Sequence, residues 1–171
     1  KHSLSFTKSD ETLKEVLSSA WSDFTNASVF DPSKDILSLI TGPLSKIDTE
    51  HVRPILSWAR YVETAQDFIN RVGSSNFSHR KKAEKLDVIK YHLEAAKGTS
   101  LTDDELWSFC KSWTLLGYDL SNDTSSQRAL LLNLINVSKT DSSRSAESIW
   151  TEILEYISNI NSGAGVISLK D

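Results

Sequence analysis

The sequence predicts a mainly α chain, an array of about six to seven helices preceded by a small α/β piece with one or two short strands. Three observations predict it. From residue 48 onward apolar residues recur almost without interruption at spacings of three and four, the period of helices with one buried face. Before that point lies a short apolar run, Ile36 to Thr41, stopped by Gly42-Pro43, together with an alternation of Leu4 and Phe6 with Ser3, Ser5 and Thr7; both are strand patterns. All three prolines fall at or before Pro54, so the chain changes character near residue 48.

Taken in order, the strand tail at Leu4 and Phe6 leads into a helix over residues 10 to 25. Its apolar stripe is Leu13, Val16, Leu17, Ala20, Trp21 and Phe24, and Ser9 is placed to cap it. "DPSK" is a turn, and the Ile36 to Thr41 run reads as a buried strand. Val52, Ile55, Leu56, Ala59 and Val62 form the next helical stripe, with Pro54 near the first turn, where a missing N–H costs little. A short helix carries Ala65, Phe68, Ile69 and Val72 and is closed by Gly73, and a longer one runs from Ser78 to Gly98 with Leu86, Ile89, Leu93 and Ala96 on one face.

Thr102 and Glu105 have capping-box spacing ahead of the stripe Leu106, Phe109, Cys110 and Trp113. "TLLGYDL" is either an extended link or a frayed helix end. Ser125 or Ser126 then opens a helix whose broad apolar arc, Leu130, Leu131, Leu134 and Ile135, predicts burial on more than one side. Ala146, Ile149, Trp150, Ile153, Ile157 and Ile160 mark the last helix, and "VISLK" after it is a further strand candidate.

Composition bounds the function. The chain has 171 residues, 39% hydrophobic and 25% charged, the profile of a globular domain, and its net charge of −4 argues against a whole-chain electrostatic grip on nucleic acid or an anionic membrane. Contact with such a partner requires a local patch. Cys110 stands alone, which rules out an intrachain disulfide framework and a cysteine-rich zinc site. His2, His51, His79 and His92 form no metal-ligand spacing. No leader pattern or spanning apolar run occurs, so a cytoplasmic location without a membrane partner is expected, and the N-x-S/T triplets at Asn26, Asn76, Asn122 and Asn136 read as chance matches. The absence of methionine favours a fragment of a longer protein.

Few segments carry candidate chemistry. "TGPLSK" follows the predicted strand but lacks the second glycine and the G-K-[ST] ending of a phosphate-binding loop, so it reads as a turn. Cys110 shares a face with Leu106, Phe109 and Trp113 and reads as a small core hydrophobe. In "SHRKKAEK", Arg80, Lys81 and Lys82 fall in the first turn of their helix, with Lys85 one turn beyond Lys81. Cations there oppose the positive end of the helix dipole, an arrangement that an anionic partner such as a phosphate backbone would reverse. The competing reading is a solvated face balanced by Glu84 and Asp87. The five tryptophans lie mostly on or beside core stripes and require no ligand.

The blocks "KHSLSFTKSDETLKEVLSSAWSDF", "FDPSKDILSLITGPLS", "VRPILSWAR", "LTDDELWSFCKSW" and "YDL", in that order, resemble a region of bacterial anti-phage proteins that join a restriction-endonuclease-like nuclease to an NTPase of the STAND or NACHT type. The resemblance implies that residues 1–47 are the C-terminal part of a PD-(D/E)xK nuclease domain and that residues 48–171 are a helical linker or sensor. It also implies that Lys1, followed by His2, is the last active-site residue, in a context resembling Q-x-K-H, with the Mg2+-holding acids just upstream. The segment by itself would then be inactive. In the longer protein Mg2+ and ATP would be the cofactors, DNA the partner for the nucleic-acid contacts of Arg80, Lys81, Lys82 and Lys85, and the other domains of the same chain the remaining partners. The alternative is a helical protein–protein interaction module without enzymatic activity.

Overall fold

A computed structural model describes residues 4–74, 77–118, 125–140 and 143–162. Among these the chain is mainly helical, with seven α-helices and one small two-stranded sheet, as the sequence predicts. The order is α1 (Glu11–Thr25), β1 (Leu37–Thr41), α2 (Arg53–Tyr61), α3 (Ala65–Gly73), α4 (Phe77–Lys97), α5 (Asp103–Ser112), β2 (Trp113–Gly117), α6 (Ser126–Ser138) and α7 (Ala146–Ser162). A π-helical turn over Asp48–Val52 leads into α2.

The first compact unit, Lys1–Gly117, holds β1, β2 and helices α1 to α5. Residues on both sides of position 48 therefore share one core. Leu13, Leu17 and Trp21 of α1 pack toward Leu86, Ile89 and Leu93 of α4, while α2 and α3 bring Ile55, Leu56, Phe68 and Val72 against Leu106 and Phe109 of α5. An aromatic chain runs through the middle: Phe109 lies 5.9 Å from Trp21 and 5.8 Å from Trp113 between ring centroids, and Trp113 lies 6.3 Å from Phe6.

"TLLG" resolves as strand: β2 pairs parallel with β1 in the register Leu37↔Trp113, Leu39↔Leu115, Thr41↔Gly117. No local pattern marks a parallel partner so remote in sequence, because its connection runs through four helices. The expected burial of the first strand holds on one face only; Leu37 and Leu39 are half-buried, whereas Ile40 is 65% exposed.

Other local details differ from expectation for identifiable reasons. Residues 4–10 form no strand, yet the Phe6 ring is buried in the core beside Trp113, and the segment is tied to α4 by Lys85 Nζ, which donates to the Phe6 carbonyl at 2.8 Å, and by His92 Nε2, 3.0 Å from the Thr7 carbonyl. Asp10, not Ser9, caps α1, its carboxylate accepting from the Leu13 N–H at 2.9 Å. Gly73 is the last residue of α3 without a left-handed conformation; the left-handed stop is Gly98 after α4, at φ 77°.

The second unit, Tyr118–Asp171, contains α6 and α7 packed on each other. Ser125 caps α6 through its hydroxyl, and Arg144 pairs with Glu152. α6 buries no residue fully, contrary to its broad apolar arc, because α7 covers one side only; Leu130, Leu134 and Val137 stay exposed. "VISLK" lies outside the described residues.

Candidate functional site

The predicted cations of α4 divide between two environments. Arg80 and Lys81 are exposed and both reach Glu84, Nε to Oε1 at 3.4 Å and Nζ to Oε2 at 3.2 Å, and these cations hold the Glu84 carboxyl below its usual range. Lys82 is only 8% exposed, with its ammonium 5.6 Å from the centre of the Trp58 ring. Lys85 is half-buried and spent on the Phe6 carbonyl. The four side chains thus form an outward pair and an inward pair. Spacing carries that signal: Lys82 precedes Leu86, Ile89 and Leu93 by four, seven and eleven residues, and so sits on the core stripe itself. Lys1 and His2 lie outside the described residues.

Cys110 is fully buried, and burial pushes its thiol up to about 12. That suits a core hydrophobe and leaves no thiolate for chemistry at neutral pH. In "TGPLSK" the last two residues serve the helix that follows. The Ser45 hydroxyl accepts from the Asp48 N–H at 3.0 Å and donates to the Asp48 carboxylate at 2.7 Å, while Lys46 pairs with Glu50 at 3.8 Å. Among the described residues no group of three or more His, Cys, Asp or Glu side chains could hold a metal ion. Nor is any described helix long and apolar enough to cross a membrane.

A concavity of the first unit lies where α2 meets the start of β2, a cleft of about 460 Å³. Part of its lining is a single helical row, Thr49, Arg53, Ser57 and Arg60, at successive spacings of four, four and three, and Thr114 of β2 also lines it. Arg60 is fixed in place, donating from Nε to the Lys111 carbonyl at 3.2 Å and from Nη2 to the Trp113 carbonyl at 2.5 Å. Trp58, also in the lining, carries two cations, Arg71 at 5.0 Å and Lys82 at 5.6 Å from its ring centre. Of the inward pair, Lys82 therefore reaches this cleft through an aromatic ring. The apolar stripe Val52, Ile55, Leu56, Ala59 and Val62 says nothing of Arg53, Ser57 and Arg60 between its members. Two arginines seven residues apart with hydroxyl residues interleaved were the available sign.

No protein-family model, curated protein or solved structure matches this chain.

Proposed function

We propose that this chain is a non-catalytic region of a cytoplasmic bacterial anti-phage protein. It is the closing part of a Mg2+-dependent DNA endonuclease domain, joined to helices that couple the nuclease to an NTPase or sensor module. Beyond the sequence blocks quoted above, the observation that supports this reading is the parallel pairing of β1 with β2. Parallel strands belong to α/β sheets covered on both faces, and a pair alone is marginal. Here β1 makes no main-chain hydrogen bond outside the pair among the described residues, and Ile40 points away from the core on the uncovered face. Such a pair suits the margin of a larger sheet, as a nuclease domain would supply.

The test is Mg2+-dependent cleavage of duplex DNA by the longer protein that includes the upstream acids. Lys1→Ala is expected to abolish cleavage while leaving DNA binding in place, because the lysine places positive charge beside the attacking water or scissile phosphate. An unchanged cleavage rate removes Lys1 from the active site.

A second reading, a helical protein–protein interaction module, is favoured by a separate observation. α6 and α7 leave Leu130, Leu134, Val137 and Leu154 exposed in the second unit, more apolar surface than a self-contained helix pair needs. Absence of any Mg2+-dependent nuclease activity in the longer protein would make this the better account.

A further inference from the structure

We propose that the cleft between α2 and β2 is a phosphate-binding site, made by Arg53 and Arg60 with the hydroxyls of Thr49, Ser57 and Thr114. The inference is independent of the nuclease reading; it concerns equilibrium binding by this chain's own residues.

Its first support is the sign of the charge. The chain carries a net charge of −4, yet this cleft is lined by two arginines and by no aspartate or glutamate. Several exposed cations elsewhere are neutralised by a carboxylate three or four residues away, Lys14 by Glu11, Lys34 by Asp31, Lys46 by Glu50, Arg80 and Lys81 by Glu84, and Lys8 and Lys111 lie over aromatic rings. Arg53 has no such partner among the described residues, and Glu50, one turn before it, is taken by Lys46.

Preorganisation is the second. Two main-chain carbonyls hold the Arg60 guanidinium in place, so little side-chain entropy remains to be lost when a ligand engages its other N–H groups. Arg53 and Arg60 sit about 10 Å apart along the helix axis at 1.5 Å per residue, and their long side chains can close on one phosphate or span two. The interleaved hydroxyls add neutral donors suited to phosphate oxygens.

Trp58 decides which part of the ligand is read. Its ring already holds Arg71 and Lys82, so it brings positive charge to the cleft instead of a bare aromatic face for stacking a base. The volume of about 460 Å³ accommodates a phosphate with its sugar. Two sources share this chemistry, the backbone of a nucleic acid and a free nucleotide.

The experiment measures binding by the full chain of fluorescent DNA of about 20 nucleotides, single-stranded and duplex, by anisotropy across a salt series, and of ATP and inorganic pyrophosphate by calorimetry. Arg53→Glu and Ser57→Asp are the test variants, because neither residue supports β2, and circular dichroism confirms their folding; Lys34→Glu, exposed and outside the residues that line the cleft, is the control. The expected result is a loss of affinity of about tenfold or more for both test variants, little change for the control, and a salt slope smaller by about one per lost phosphate contact. Loss confined to DNA identifies the backbone as the ligand, and loss confined to ATP and pyrophosphate identifies a free nucleotide; either supports the site. Failure of every probe to bind, unchanged binding by the folded test variants, or an equal loss in Lys34→Glu overturns it.

Discussion

At Gly117 a Cβ atom would sit 2.5 Å from the side chain and 3.1 Å from the main-chain nitrogen of Leu44. The constraint is close approach, since only Gly98 among the described glycines has a positive φ. The segment leaving β1 passes directly over the end of β2, and Leu44 packs on the core, so it has little room to move. Gly117→Ala is expected to cost about 1–3 kcal/mol in a urea titration, the range for overpacking. Gly42→Ala, with nothing within 4 Å of the new methyl, should stay near the wild-type midpoint. Sequence could not separate these two glycines: each follows a short apolar run, and only the tertiary path of residue 44 distinguishes them. Lys82 is the opposite case. Its charge grouped it with Arg80 and Lys81, but its register with Leu86, Ile89 and Leu93 already placed it inward.

Among the elements, α5 was the most legible because its start is encoded locally. The Thr102 hydroxyl accepts from the Glu105 N–H at 3.2 Å and the Glu105 carboxylate accepts from the Thr102 N–H at 2.8 Å, the reciprocal box predicted from spacing. Lys97 of α4 adds contacts of 2.6 and 2.7 Å to the same carboxylate, and this ammonium is the main reason that the Glu105 carboxyl is held below its usual range. A carboxyl whose folded pKa lies below its unfolded value stabilises the fold above the unfolded pKa, about 4.3, and loses that contribution as pH falls through the folded value. Glu105→Gln keeps an acceptor for the cap but removes the charge. Its deficit in urea midpoint against wild type is therefore expected at pH 7 and should shrink toward pH 3; a deficit independent of pH would discard the ionic account. Thr102→Ala should cost about 1 kcal/mol. α6 was less legible, since an apolar arc states what a helix could bury and not how many neighbours the fold supplies.

Over the whole molecule, local periodicity and packing divide the chain at different places. The periodic pattern changes near residue 48, whereas the compact units meet between Gly117 and Tyr118. The difference comes from β2, which returns to β1 after four helices and closes α1 to α5 around the aromatic chain of Phe6, Trp21, Phe109 and Trp113. Residues 1–117 expressed alone are expected to melt cooperatively and to keep the near-ultraviolet circular dichroism of packed tryptophans. A gradual melt without that signal would show that the first unit depends on residues 118–171. The candidate cleft was illegible for the same reason as the sheet: its walls come from α2 and β2, and no local pattern joins Arg53 to Thr114.

The burial of Cys110 has a practical consequence. With its single sulfhydryl sealed in the core, the surface of this chain is chemically silent toward maleimides and methanethiosulfonates at neutral pH. A cysteine introduced at Tyr61, which is exposed and follows Arg60 in the chain, would therefore be the one attachment point for a dye or nitroxide, in an otherwise native background. Occupation of the neighbouring cleft could then be followed as a change in label mobility.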